Sequence, residues 1–168
     1  MSDKEPIHVQ LLQDELRDCK ALSKALKILA GEVSNMMDRM VKAEDAEEVF
    51  VSMGEDAGRR LGEKARDQFG VIENVEEALD TFIHRTNMWY GYEIEVDRIE
   101  DGTIYINILE SFIRDILRDR KLSVHSSLCG ITRGYLKGAL KELTGKEVDI
   151  EVVVADVDGI FREKITVR

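Results

Sequence analysis

Residues 126–151 read SSLCGITRGYLKGALKELTGKEVDIE, and the spacing of the apolar side chains changes within this stretch. At first they recur every three or four residues, which predicts a helix from about Leu128 to Thr144. Gly145 follows as a residue that readily takes the left-handed backbone of a helix C-cap. Apolar residues then alternate with polar ones, the pattern of a strand with one buried face, at Val148, Ile150, Val152 and Val154.

The same alternation predicts two hairpins. One joins Tyr92–Val96 to Ile104–Ile108 through Glu100–Gly102, whose Asp-Gly pair suits a tight turn. The other joins Val148–Val154 to Phe161–Val167 through Asp156–Gly159. A short helix at Phe112–Leu117 and the helix described above lie between them. The predicted fold class is therefore α+β: N-terminal helices followed by an antiparallel sheet of two hairpins flanking a helix.

A long amphipathic helix is predicted near the N-terminus. Its apolar residues recur at steps of three or four, as a helix with one buried stripe requires. Gly31 either divides the segment into two helices or lies inside one. Residues 1–45 are thus predicted to form a helical segment for packing or dimerisation, and residues 46–168 an α/β domain. The stripe comprises Val9, Leu12, Leu16, Cys19, Leu22, Leu26, Leu29, Val33, Met36 and Met40.

The next helix has glycine at every fourth position, at Gly54, Gly58 and Gly62. Each glycine costs a helix roughly 1 kcal/mol, so three on one face call for a physical reason. The missing Cβ allows close approach of another backbone or of a ligand. Tight packing of this helix on the sheet is the interpretation we favour, and contact with a ligand is the alternative. One more helix is predicted over residues 75–86.

Composition excludes several classes of protein. The net charge is −10, from 34 acidic and 24 basic residues, which repels phosphate backbones and makes nucleic acid an unexpected partner. Two cysteines, Cys19 and Cys129, are too few for a disulfide framework or a four-cysteine zinc site. The first residues lack the features of a signal peptide, and no run is apolar enough to span a membrane. We expect a soluble protein of the cytoplasm.

Three of these segments carry a family resemblance. The residues from Ser126 to Glu151 resemble the C-terminal half of 4-vinyl reductase domains and the Cys-Gly-x-x-Arg-Gly segment of small TRAPP subunits. The glycine helix and the first hairpin fall where both groups have theirs, so the resemblance covers Phe50 to Arg168. It implies membership of the superfamily of ligand-binding domains found in NO signalling and Golgi transport. It also implies dimerisation through helices and a small apolar molecule, such as a hydrocarbon, held between helices and sheet.

Many domains of the 4-vinyl reductase type also hold zinc, and the resemblance places the ligand positions at Cys129, Val152, Ala155 and Glu163. Valine and alanine cannot bind a metal, and two remaining ligands are fewer than the four of a structural site. Zinc is therefore not expected, and neither is any other cofactor. The acylated cysteine of one type of TRAPP subunit has no counterpart in residues 69–73.

Candidate ligand contacts follow from the aromatic residues and the family segments. The cluster around Trp89 and Tyr92 either walls an apolar pocket or belongs to the core. Cys129 is interpreted as a small buried side chain, with a nucleophilic pair of His125 and Cys129 as the alternative. The candidate ligand-binding residues are Gly58, Gly62, Phe82, Trp89, Tyr92, Phe112 and Cys129, and no catalytic residue is assigned.

The sequence thus predicts a non-catalytic binding or sensing module for a small hydrophobic ligand, acting as a homodimer. Two alternatives remain at this point. One is a reductase-type enzyme with a bound cofactor, and the other is a TRAPP-like assembly subunit whose surfaces join other proteins. None of the common catalytic or nucleotide-binding motifs occurs in the chain.

Overall fold

The computed structural model describes the backbone of residues 7–42, 45–90 and 92–168, and the side chains of residues 17–42, 45–84 and 92–168. These residues form five helices and four strands. In chain order they are α1 (Ile7–Met40), α2 (Ala46–Phe69), α3 (Val75–Tyr90), β1 (Glu93–Glu100), β2 (Thr103–Glu110), α4 (Phe112–Arg120), α5 (Ser127–Thr144), β3 (Val148–Ala155) and β4 (Phe161–Val167).

The four strands form one antiparallel sheet in the order β1-β2-β4-β3. The two hairpins meet where β2 pairs with β4, with Ile104 opposite Ile165 and Ile106 opposite Glu163. Helices α4 and α5 lie between the hairpins in the chain, so the predicted α+β class is confirmed. The predicted glycine C-cap is also confirmed, because Gly145 ends α5 with φ 67°.

The core lies between one face of the sheet and two helices, α3 and α5. The spacing that predicted these helices places their apolar stripes toward the strands, as expected for helices packed on one side of an antiparallel sheet. Buried side chains of this core include Ala78, Leu79, Phe82 and Ile83 from α3, Leu136, Ala139, Leu140 and Leu143 from α5, and Ile104, Ile106, Val148, Phe161 and Ile165 from the strands.

The glycines of α2 pack against α5, which differs from the predicted packing on the sheet. A Cβ added at Gly54 or Gly58 would lie closer than 3.0 Å to a backbone carbonyl of α5. The same holds in reverse at Gly134 and Gly138, where the obstruction is the backbone of α2. The two helices therefore touch backbone to backbone, and α5 is enclosed between α2 and the sheet. The glycine spacing of α2 alone did not identify α5 as the partner. The close contact also requires the glycines of α5, at Gly134 and Gly138.

α1 is one continuous helix that includes Gly31, and its polar contacts fix it to α4 and α5. The N-terminus of α5 is capped from α1, since the Ser127 N–H donates to Asp38 Oδ1 at 2.7 Å. The Ser34 and Ser127 hydroxyls lie 2.8 Å apart. Ser126 is the N-cap residue of α5, but its side chain makes no capping hydrogen bond. Within the part of the chain that the structure describes, no helix has the length and apolar character to cross a bilayer.

Arg114 of α4 joins the two hairpins. Its side chain is buried and donates to the carbonyl oxygens of Val157 (2.8 Å) and Gly159 (2.8 Å) in the second hairpin. It also donates to Ile108 O at 3.0 Å and to Leu109 O at the end of β2. One guanidinium thus donates to backbone carbonyls of both hairpins, which ties the end of β2 to the turn of the second hairpin.

Candidate functional site

A cavity of about 310 Å³ lies between α5 and the sheet, at the end of the core where α5 begins. This volume is at the lower end of the range found for small-molecule sites, so it suits one compact ligand. Its walls are mostly apolar. The lining residues are Phe82, Tyr92, Ile94, Ile106, Ile108, Phe112, Ile113, Leu128, Ile131, Thr132, Tyr135, Leu136 and Glu163.

Aromatic side chains form the two sides of the cavity. Tyr92 precedes β1 and meets Phe112 of α4 edge to face, with ring centroids 5.6 Å apart. Phe82 of α3 and Tyr135 of α5 have their ring centroids 6.4 Å apart. Rings held in this way present rigid faces, because an aromatic side chain has few rotatable bonds. The cavity therefore has fixed walls that fit a flat or compact apolar molecule.

The cavity narrows toward the start of α5, where a small extension of about 30 Å³ is lined by Cys129, Glu163, Ser111 and Arg114, among others. Thr132 lines both parts, but its hydroxyl already donates to the Leu128 carbonyl oxygen at 2.8 Å. Apart from Tyr135, the polar residues that line the cavity also line this extension, so most polar groups of the site lie at one end. A ligand with one polar group has a single orientation in such a cavity.

Glu163 is the acidic residue of this polar end, and it is only 5% exposed. It lies on β4 between Phe161 and Ile165, the two other buried residues of the strand. Burial raises the pKa of its carboxyl group from 4.5 to about 7, while the positive charge of Arg133 acts in the opposite direction. At neutral pH the carboxyl group is therefore divided between its protonated and ionised forms.

Cys129 and Tyr92 stay protonated at neutral pH. Burial raises the pKa of the Cys129 thiol to about 11, although a hydrogen bond with Ser126 opposes the change. Burial is also the main cause of the raised pKa of Tyr92, and the charge of Glu163 adds to it. His125 is exposed, and its backbone N–H donates to Ser123 Oγ at 3.1 Å. The high pKa of Cys129 does not favour the nucleophilic pair, because a thiol reacts as its thiolate.

A second, open apolar feature lies outside the cavity, between α1 and the start of α5. This groove has a volume of about 760 Å³ and is lined on one side by Leu22, Leu26, Leu29, Val33 and Met37 of α1. Its other side includes Phe112, Leu128 and Ile131. These last three residues also line the cavity, so a single layer of side chains separates the two spaces.

Three of the candidate ligand contacts, Phe82, Tyr92 and Phe112, line the cavity, and Cys129 lines its narrow extension. As ligand contacts they stay predictions. Gly58 and Gly62 face α5, where an added Cβ would overlap atoms of that helix. Their lack of a side chain is therefore explained by helix packing. The side chain of Trp89 lies outside the described residues.

The sequence did not single out several residues that line the cavity, chiefly Thr132, Tyr135 and Ile131 of α5. Their positions follow from the rotation of α5 about its axis, which the glycine contacts with α2 determine. Glu163 entered only as a former zinc position. The signal that identifies it is its place in the row Phe161, Glu163, Ile165, where one acid interrupts the buried face of a strand.

Of the four positions compared with zinc ligands, Cys129 and Glu163 come together at the narrow end of the cavity. Val152 pairs with Glu163 across the sheet, and Ala155 is exposed at the end of β3. Among the residues with described side chains, no group of three or more His, Cys, Asp or Glu could hold a metal ion.

Comparison with known proteins identifies the fold. No family model and no curated protein matches the sequence. A solved structure of trafficking protein particle complex subunit 3 from Naegleria fowleri, covalently bound to palmitic acid, superposes with a TM-score of 0.67 at 18% identity, covering 89% of this chain and 96% of that one. The chain has a TRAPP-like fold.

A sensory domain has a similar structure. The phenol-responsive domain of the transcription activator PoxR, solved with phenol, superposes with a TM-score of 0.56 at 18% identity. The match covers 83% of this chain and 73% of the PoxR domain. At this level of identity the two comparisons establish the fold, and function has to be argued from the cavity and the groove.

Proposed function

We propose that this chain is a non-catalytic binding or sensing module that holds one small hydrophobic molecule in the cavity between α5 and the sheet. The observation that carries the proposal is a space of about 310 Å³ with aromatic walls and with the buried Glu163 in its lining. The names of the two similar structures record palmitic acid and phenol as their ligands, which supports an apolar occupant here. We assign the chain to the 4-vinyl reductase domains and to the cytoplasm as part of this proposal.

Binding of toluene tests the proposal, because this molecule is small, apolar and unable to form hydrogen bonds. We expect it to raise the Tm of the purified protein in proportion to its occupancy of the folded state. Leu136→Phe, which adds volume at the cavity wall, should abolish this rise. Val153→Phe is the matched control, since Val153 is exposed on β3. A wild-type Tm that is unchanged both at saturating toluene and at saturating 4-methylphenol would refute the binding function.

The proposed module is a homodimer formed through α1, with residues 1–45 as the dimerisation segment and residues 46–168 as the ligand-binding unit. Six apolar side chains of α1 follow one another at steps of four and three residues, and each is at least 40% exposed. This is the heptad spacing with which two helices of the same sequence pack together. The six residues are Leu22, Leu26, Leu29, Val33, Met36 and Met40.

The molar mass in solution tests the dimer. Light scattering on the wild type should give twice the chain mass of 19.1 kDa. Leu29→Glu should lower the mass to that of one chain, because it places a charge in the middle of the apolar stripe. Ile99→Glu makes the same change at an exposed position of β1 and should leave the dimer intact. A wild-type protein that is monomeric at high concentration would contradict this part of the proposal.

A TRAPP-like assembly subunit is the second candidate, and the observation that favours it is the extent of the superposition on the trafficking subunit, which covers 96% of that chain. In that case the groove between α1 and α5 would receive a different protein. The two candidates predict different oligomeric states for the purified chain. A homodimer that forms through the apolar stripe of α1 needs no other protein. Stable complexes of unlike subunits with an empty cavity would favour assembly.

A further inference from the structure

The buried row of β4 contains one residue that the hydrophobic core does not explain. Phe161 and Ile165 pack into the core, but Glu163 between them presents a carboxyl group to the cavity. Its partners across the sheet are Ile106 and Val152, so its neighbours on both adjacent strands are apolar. Among the residues with described side chains, none forms a hydrogen bond or an ion pair with this carboxyl group. A buried acid without a partner is costly, and such cost is typical of functional sites.

The charged and titratable groups around Glu163 come from α5 and from the residue before β1. Arg133 of α5 acts on it electrostatically, but the Arg133 guanidinium forms its ion pair with Glu47 of α2, at 2.8 Å. Cys129, Tyr92 and Tyr135 line the same cavity or its extension. Cys129 and Tyr92 are kept neutral by burial. Among the residues with described side chains, Arg133 is thus the one compensating charge, and Glu163 lines the space that a ligand would fill.

We propose that Glu163 selects the ligand: the cavity takes a compact, mostly apolar molecule with one hydrogen-bond donor, a hydroxyl or an N–H, which it gives to the Glu163 carboxylate. This inference rests on the function proposed above and names the chemical class of the ligand. An apolar molecule without a donor leaves the acid buried and unpaired. A molecule that satisfies it gains a hydrogen bond to a charged group, which is among the stronger kinds in proteins.

The same arrangement excludes some ligands. A carboxylate or phosphate placed at the polar end would be repelled by the ionised form of Glu163, which predominates above about pH 7. Away from Glu163 the lining is mainly apolar, with Phe82, Ile94 and Leu136, so it offers little to a second polar group. The ligand class is therefore neutral or cationic at one end and hydrocarbon at the other.

Three probes of nearly the same shape test the inference: 4-methylphenol, its methyl ether 4-methylanisole, and toluene. Their affinities for the wild type are measured by calorimetry at pH 7.5. We expect 4-methylphenol to bind about tenfold or more tightly than either of the others, the value of one hydrogen bond to a charged group. Glu163→Leu should remove this preference while keeping toluene binding. Glu163→Gln should keep part of it, because the amide oxygen still accepts.

Glu151→Leu is the matched control, since Glu151 is exposed on β3 and should leave the preference unchanged. Equal affinities of the three probes in the wild type would overturn the inference, and so would a preference that survives in Glu163→Leu. Both of those results leave the binding function standing, because the probes still bind. If none of the three binds to the wild type, the binding function itself fails and the inference fails with it. Circular dichroism verifies that each variant is folded.

Discussion

Glu163 and Ile106 are direct partners across β4 and β2, and both side chains face the cavity. Neighbouring positions on the inward face of a sheet are normally apolar, because both are removed from water. Here the pair combines a fully buried isoleucine with a buried acid. A buried acid at position 163 is thus less favourable for stability than an apolar residue there would be.

Glu163→Leu is expected to raise the stability of the ligand-free protein at neutral pH. The pKa of this carboxyl group is about 7 in the folded chain and near 4.5 in the unfolded one. The folded state therefore binds the proton more tightly, so the contribution of Glu163 to stability is highest below about pH 4.5 and falls as the pH rises through about 7. The leucine variant lacks this fall, so its advantage should grow over that range, to on the order of 3 kcal/mol.

Urea unfolding at pH 4.5, 6 and 7.5 measures this difference. Glu151→Leu again serves as the reference, because Glu151 is exposed and its replacement should give a difference that changes little with pH. A Glu163→Leu variant that is less stable than the wild type at pH 7.5 would show that the acid has a structural partner. The account of a destabilising, ligand-directed carboxyl group would then be wrong.

Gly58→Ala is expected to destabilise the protein by about 1–3 kcal/mol or more, since the added Cβ overlaps the Tyr135 carbonyl oxygen and α2 must move away from α5. Gly31→Ala is the matched change in another helix. Its Cβ would meet the Cγ of Arg120 at 3.1 Å, in a flexible side chain that can shift. Alanine also favours the helix by up to about 1 kcal/mol, so this variant should stay near wild type. Thermal melts followed by circular dichroism compare the two, and equal Tm values would contradict the backbone contact.

Arg114→Ala should reduce the free energy of unfolding by about 2–3 kcal/mol, because it removes the donor to the carbonyls of Ile108, Val157 and Gly159, of which that of Ile108 is buried. Arg59→Ala removes an exposed arginine that pairs with Glu63 one helical turn away, and should cost less than about 0.5 kcal/mol. Denaturant titrations of both variants give the comparison. A small effect at Arg114 would mean that water replaces the guanidinium.

Cys129 should react slowly with a thiol reagent in the native state, since it is buried and its pKa is raised to about 11. The measurement uses Cys19→Ser, in which Cys129 is the remaining cysteine, with a colorimetric disulfide reagent at pH 7.5. We expect little reaction within minutes and one thiol per chain after unfolding in urea. Fast reaction of the folded variant would revive the pair of His125 and Cys129 as a nucleophile.

Periodicity along the chain was sufficient to predict the α+β class, because helices and strands bury their apolar residues at different spacings. It was also sufficient for the cap at Gly145 and the turn at residues 100–102. It did not predict that α2 packs on α5, since a glycine series permits close approach without naming the partner. The cavity was also beyond it. A cavity forms where side chains of different elements do not touch, which depends on how the elements pack. No pattern in the sequence therefore indicates that Thr132 or Ile131 lines a cavity.

The most direct test of the central claim is a crystal structure of the protein with 4-bromophenol, located by the anomalous scattering of bromine. We expect one bromine peak inside the cavity, between Phe82, Ile106 and Tyr135. The hydroxyl group of 4-bromophenol should lie within hydrogen-bond distance of Glu163. We also expect that the peak is lost in Leu136→Phe. Binding of 4-bromophenol elsewhere, with the cavity empty or filled by side chains, would contradict the binding function. A ligand in the cavity with its hydroxyl group turned away from Glu163 would contradict the role of Glu163.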